Sequence, residues 1–176
     1  MTDSVVVTLI GPDRPGLVSL LSDCGRANGA SWEESRMATL AGQFAGIVHF
    51  AVPATHKAAL ITALRALESL GLSVVVVSGL APGAAAEGRI LRLELVGQDR
   101  PGIIRDISRA LADLGISIQE LTTELSSAAM SGEHMFSAKA RLLVPGAVRN
   151  AELRRVLEAL ANELMVDVAL DEGQGG

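Results

Sequence analysis

The octapeptide Gly11-Pro12-Asp13-Arg14-Pro15-Gly16-Leu17-Val18 recurs as Gly97-Gln98-Asp99-Arg100-Pro101-Gly102-Ile103-Ile104, 86 positions later. The same offset pairs Val5, Val7 and Leu9 with Leu91, Leu93 and Leu95. It also pairs Leu21 with Ile107, Gly29 with Gly115, Ser31 with Ser117 and Glu34 with Glu120. Self-similarity at one fixed spacing marks a duplicated structural unit. One reading therefore serves both halves.

In the first copy, residues 4–10 are mostly Val, Thr, Leu and Ile, which predicts a buried strand. The Asp-Arg-Pro-Gly segment follows. Over residues 15–28, Leu17, Leu20, Leu21 and Cys24 recur at helical spacing. Pro15 suits the first helical turn, where a missing N–H leaves no partner unsatisfied. Asn28-Gly29 is expected to close that helix, because the pair tolerates positive φ. Segments 31–40 and 43–52 read as a hairpin around Ala41-Gly42, ended by Pro53. Residues 55–70 read as a second helix with Leu60, Leu64, Leu67 and Leu70 on one stripe, stopped by Gly71, and Leu72 opens the last strand.

The second copy repeats this order: a strand at 89–96, a helix at 101–114, strands at 116–126 and 134–144, a helix at 148–163 and a strand at 165–170. The offset grows from 86 at Ser31/Ser117 to 92 at Pro53/Pro145. The second hairpin, with its tip at 126–132, is therefore about six residues longer, an insertion that hairpin tips tolerate. The fold class is α+β: two ferredoxin-like βαββαβ modules, each a four-stranded antiparallel sheet with two helices on one face. The expected organisation is a module at 1–80, a small-residue linker at 81–88, a module at 89–171 and a frayed polar tail at 172–176. Each sheet has open outer edges, and two copies in one chain can satisfy an edge by pairing side by side.

Hydrophobic residues form 49% of the chain and mean hydropathy is +0.37, enough to build a real core. Aromatic residues are 2%, with no Tyr and Trp32 alone of its kind. That composition argues against a base-stacking platform. The net charge of −5, with arginines scattered among acids, argues against direct binding of nucleic acid. The lone Cys24 cannot form an internal disulfide and fits a reducing compartment. The apolar runs are too short to span a bilayer and no leader opens the chain, so a cytoplasmic protein with no membrane association is expected.

Chemistry is sought first at the repeated turn. Gly16 and Leu17, and Gly102 and Ile103, place amides at the start of a helix, where the helix dipole favours an anion. Asp13 and Asp99 stand beside those amides and can accept hydrogen bonds from an ammonium group. Together they suit a zwitterion, with amides for its carboxylate and an aspartate for its amine. A purely structural reading is open too, in which Asp caps the helix and Gly relieves close packing.

The spacing Gly-x-Asp-Arg-Pro-Gly-[Leu/Ile]-[Val/Ile], with Asn-Gly-Ala-Ser or Leu-Gly-Ile-Ser about a dozen residues on, resembles the ACT domain, a regulatory amino-acid-binding module. As a tandem pair of this length, the chain also resembles the glycine cleavage system transcriptional repressor family. The resemblance implies that a small amino acid binds where the strand-to-helix turn of one module meets the start of the second strand of its neighbour. The matching turn residues are Gly11, Asp13, Arg14, Pro15, Gly16 and Leu17, and Gly97, Asp99, Arg100, Pro101, Gly102 and Ile103. The matching strand starts are Ser31 and Ser117. Serine-binding members carry Asn where Asp13, Asp99, Ser31 and Ser117 stand, and His where Gly11 and Gly97 stand. Aspartates favour an amine and repel an acidic side chain, which points to a small neutral amino acid, glycine or a serine-like one.

Other residues read as structural. Cys24 falls on the apolar stripe of its helix and reads as a buried thiol. His49, His56 and His134 are dispersed, without metal-ligand spacing. Glu33 and Glu34 are expected to alternate across a strand, so their carboxylates do not cooperate. Trp32 reads as an interface anchor. No Walker loop, dinucleotide fingerprint or serine elbow is present. The expectation is therefore a regulatory protein, not an enzyme, without a cofactor, acting on a protein partner such as a transcriptional regulator and able to form a homo-oligomer. The alternative is a ligand-independent adaptor with a vestigial pocket.

Overall fold

The computed structural model describes residues 1–79, 87–127 and 132–172. The chain divides into two compact units, Met1–Gly83 and Ala84–Gly176. The first contains β1 (Thr2–Pro12), α1 (Leu17–Ala27), β2 (Ser31–Leu40), β3 (Gln43–Pro53), α2 (Lys57–Ala66), a 3₁₀ turn at Leu67–Leu70 and β4 (Ser73–Ser78). The second contains β5 (Arg89–Gln98), α3 (Ile103–Asp113), β6 (Ser117–Ser127), β7 (His134–Val144), α4 (Asn150–Leu164) and β8 (Val166–Glu172). The sheet orders are β2-β3-β1-β4 and β6-β7-β5-β8, antiparallel throughout. Each unit is thus the expected βαββαβ module. Most of the expected linker (81–86), the second hairpin tip (128–131) and the tail (173–176) lie outside the described residues.

Strand alternation decides the core. Val5, Val7 and Leu9 are fully buried, whereas Thr8 and Ile10 between and beyond them are exposed. Leu17, Leu21, Leu60 and Leu64 from the two helices share a cluster with Val5, Val7, Leu9 and Val48. Both helices therefore cover one face and leave the other open. The second module repeats the arrangement with Leu91, Leu93 and Leu95 under Ile103, Ile107, Leu111, Leu153 and Leu157. Full burial of one such Leu stabilises by about 1.5–3 kcal/mol, so each strip of four to five sustains its layer.

The two cores solve the same volume differently. In the first module, a Cβ added at Gly25 would stand 2.7 Å from Phe50 Cε1, so the helix must yield a side chain to admit the ring. At the corresponding positions the second module carries Leu111 and Leu142, both buried. A small-large pair has become two of middle size, as close packing at constant volume demands. Trp32 lies edge-on to Phe50, with ring centroids 5.3 Å apart and an interplanar angle of 79°. It packs against the core of its own module.

Three expectations are corrected. The helices open at Leu17 and Ile103, two residues later than read, so Pro15 and Pro101 precede them. The second helix of the first module ends as α-helix at Ala66, and its final turn tightens to 3₁₀ before Gly71 at φ 81°. Third, the strict alternation assumed for Glu33-Glu34 fails. The register between β2 and β3 slips between Trp32 and Glu34, leaving Glu33 as the extra residue of a β-bulge, and both glutamates are exposed. The same slip recurs between Ile118 and Glu120. At the hairpin tip, Ala41 (φ 49°) and Gly42 (φ 76°) supply the two positive φ angles of a type I′ turn, which suits the twist of the flanking strands.

Candidate functional site

Each Asp-Arg-Pro-Gly segment emerges from the central strand of its sheet and turns into a helix. Gly16 has φ 93° and ψ −1°, and Gly102 has φ 94° and ψ 0°. These are the angles of the third residue of a type II turn, with Pro15 or Pro101 supplying the fixed φ of the second. That turn explains the late helix start: a left-handed residue cannot lie inside a right-handed helix. The first intrahelical bond runs from the Leu20 N–H to the Gly16 carbonyl at 3.0 Å, and from the Asp106 N–H to the Gly102 carbonyl at 2.9 Å. The amides of residues 17–19 and 103–105 therefore precede the helical ladder. No side chain caps either helix, so the structural reading in which aspartate serves as the cap is corrected.

Asp13 and Asp99 are exposed. Each is held by its backbone, the Asp13 N–H donating to the Gly42 carbonyl and the Asp99 N–H to the His134 carbonyl, both at 2.9 Å. Arg14 Nη2 donates to the Leu70 carbonyl at 2.8 Å, and Arg100 Nη2 lies 3.8 Å from Met165 Sδ. Both arginines thus brace the turn against the corner before the last strand of their own module. Gly11 and Gly97 are glycine for want of room. An added Cβ at Gly11 would stand 2.6 Å from Leu72 Cδ2, which would have to turn aside, and one at Gly97 would stand 2.5 Å from Val166 Cγ1 and 3.0 Å from Val166 Cα, so there β8 itself is in the way. Leu17 and Ile103 point into the cores.

The turn residues are gathered in each module, but the serines are not with them. Ser31 pairs with Ala51, which pairs with Ser4 at the far end of β1 from Pro12. Ser117 pairs with Leu143, which pairs with Ile90, again at the far end of its strand from Gln98. Eight strand residues separate the two ends, roughly 26 Å. No module brings its own serine to its own turn.

The two turns also differ in a way the repeat conceals. Around Gly16 there is open space, whereas the Arg105 guanidinium and the Asp106 carboxylate lie against Gly102. Arg105 Nε donates to Asp106 Oδ1 at 2.8 Å, and this bond, with the attraction of the carboxylate, raises the guanidinium pKa further. The first module has Ser19 and Leu20 at those positions. The repeat gives no sign of this pair, since its approach to Gly102 depends on the turn.

These features are the strand-to-helix turn and βαββαβ order of the ACT domain, and the sequence matches the ACT-domain family models over residues 3–77 and 91–162. The chain belongs to the ACT-domain family, as a tandem pair. A structure of a protein of unknown function from Galdieria sulphuraria matches with a TM-score of 0.83 and 30% identity, covering 99% of this chain and 100% of that one. Another, provisionally assigned as a glycine cleavage system transcriptional repressor, matches with a TM-score of 0.76 and 18% identity, covering 99% of each chain. At that identity the second match speaks to the fold. No curated protein matches the sequence.

The remaining candidates of this ACT pair have structural partners. The Cys24 thiol is half-buried with Sγ 4.0 Å from the Ala63 carbonyl, and burial, then the neighbouring Asp23, pushes its pKa up. It is not an activated nucleophile. His49 Nε2 lies 2.8 Å from Ser4 Oγ and His56 Nδ1 3.2 Å from the Asn28 carbonyl. Among the described residues no group of three or more His, Cys, Asp or Glu is placed to hold a metal, and no helix is long and apolar enough to cross a membrane. A narrow cleft beneath α3, lined by Leu93, Ile104, Ile107 and Ala140, has Ser108 as its one polar wall residue and offers nothing to a zwitterion.

Proposed function

We propose that this protein is a cytoplasmic regulatory sensor, not an enzyme, whose ACT modules bind a small neutral amino acid such as glycine or serine. The modules at 1–80 and 89–171, joined by the linker at 81–88, are its working units. The observation that carries the reading is the pair of type II turns, each offering amides ahead of a helical ladder with an exposed aspartate alongside. Amides and helix dipole receive the carboxylate, and Asp13 or Asp99 receives the ammonium group. Because Ser31 and Ser117 stand far from the turns of their own modules, the strand start that completes each site comes from a different module. Ligand then stabilises whichever arrangement presents both walls. It shifts the population by as much as its affinities for the two arrangements differ. A protein partner, such as a transcriptional regulator of glycine metabolism, reads that arrangement; the acidic balance disfavours unaided binding to nucleic acid.

Calorimetric titration with a panel of amino acids tests the reading. Saturable heat is expected with one or more small neutral amino acids. Asp13→Ala and Ser31→Ala should both weaken binding, although the two residues belong to opposite ends of one sheet. Silence across the panel, with partner binding indifferent to both substitutions, would leave the adaptor reading in its place.

A further inference from the structure

The two modules carry unlike open faces. On the first, the row across the sheet at Thr8 brings Ile47, Thr8 and Val75 together, and the next row brings His49, Val6 and Val77. Ile10, Ile47, Val75 and Val77 are exposed by 48, 50, 61 and 43%. On the second module three of the corresponding residues are charged, with Arg92 in place of Val6, Lys139 in place of Ile47 and Asp171 in place of Val77, while Ile10 and Val75 correspond to Val96 and Ala169. Lys139 Nζ lies 3.7 Å from Glu94 Oε1, and Arg141 Nη1 3.9 Å from Glu120 Oε1, a solvated cross-strand ladder. The fold therefore accepts charge on this face, and the aliphatic face of the first module is not a requirement of folding.

We infer that the open sheet face of the first module is a self-association surface, closed by the same face of a second copy of this chain. The face is four strands wide and about nine residues deep, roughly 500–600 Å² at ordinary strand spacings. Aliphatic side chains share that face with Thr8, His49, Glu34 and Arg36, so the apolar patch is smaller than the face, and the face itself is below the ~800 Å² each partner gives a standard interface. A reversible dimer follows, not an obligate one. Polarity selects the occupant. Face-to-face sheet packing about a twofold axis lays aliphatic rows on aliphatic rows. Docking onto the second module's face would strip water from Arg92, Lys139 and Asp171 against valine and isoleucine, without new partners. The margin at β2 carries Glu34 and Arg36, 3.0 Å apart, one charge of each sign, so the rim also complements itself in a twofold pair. This surface lies on the sheet face away from the helices and does not depend on the amino-acid-sensing reading.

The test grafts the charged face onto the aliphatic one in the full chain, as Val6→Arg, Ile47→Lys and Val77→Asp together. Sedimentation equilibrium over micromolar to submillimolar concentrations should show the native chain rising from 18.2 kDa towards twice that mass. The graft should weaken association by more than about a hundredfold, since the interface would have to strip water from three charged side chains on each face, while Trp32 fluorescence and thermal midpoint stay near native. The reciprocal graft, Arg92→Val with Lys139→Ile and Asp171→Val, should add a second associating face and raise the mass beyond the dimer, which keeps the test decisive if the first graft folds poorly. A native chain that stays at 18.2 kDa, or a folded first graft that dimerises as before, overturns the inference. So does native mass growing past the dimer, because a twofold face closes at two.

Discussion

Gly25 and Phe50 form the most quantitative test of how the duplicated fold distributes its core volume. In Gly25→Ala the new methyl group meets Phe50 Cε1 at 2.7 Å and Cδ1 at 3.3 Å, inside contact distance of a ring that is 1% exposed. Overpacking of that kind costs about 1–3 kcal/mol, against about 1 kcal/mol recovered from better helix propensity. The single variant should therefore lose up to about 2 kcal/mol. Phe50→Leu removes the clashing ring atoms and the edge contact with Trp32, at an expected cost of about 2–3 kcal/mol. In the double variant the methyl group enters vacated space and the helix gain stands alone, so the losses should fall short of additivity by about 1–3 kcal/mol. The assay is urea unfolding followed by fluorescence of Trp32, the single Trp in a chain without Tyr, which reports the first module alone. Each kcal/mol corresponds to about 4–8 °C in the thermal midpoint of a module this small. Additivity within about 0.5 kcal/mol would refute the claim that these positions share one volume.

Four further outcomes follow from the turns and the thiol. Gly16→Ala meets no atom within 4 Å, so its expected loss of about 1–2 kcal/mol is purely the cost of a left-handed alanine, readable in the same unfolding assay; an unchanged midpoint would mean the turn rearranges freely. Arg105→Ala should uncover the amides beside Gly102 and change amino-acid affinity at the second turn several-fold, whereas Ser19→Ala at the first turn should leave affinity within about twofold, both measured calorimetrically. Cys24 should react slowly with a thiol reagent at neutral pH, with the rate rising only above the ordinary thiol range, because burial raises its pKa. A group with a raised folded pKa contributes its stability in full below the unfolded value and loses it as pH rises through the folded one. Cys24→Ala should flatten that alkaline decline, and an identical pH profile for the variant would count against it.

The duplication, the order of elements and the hairpin at Ala41-Gly42 were legible in the residues, because each depends on local periodicity or on a residue with special backbone freedom. Helix openings were misplaced by two residues because Pro15 suits both a helical first turn and a type II turn. Only the angles at Gly16 choose between them. The bulges at Glu33 and Gln119 were not legible, since a bulge is a relation between a strand and its partner and leaves no fixed mark in one strand.

What the chain determines by itself is the order of elements, the buried stripe of each element and the chemistry of the repeated Asp-Arg-Pro-Gly turn, all of which rest on short-range sterics and amphipathic patterning. Tertiary structure alone decided which distant residues share space. It set Gly25 beneath Phe50, laid Arg105 and Asp106 against Gly102, and held Ser31 a full strand length from Asp13. The physical reason is that packing and register join residues dozens of positions apart, and local preference is blind to such separations.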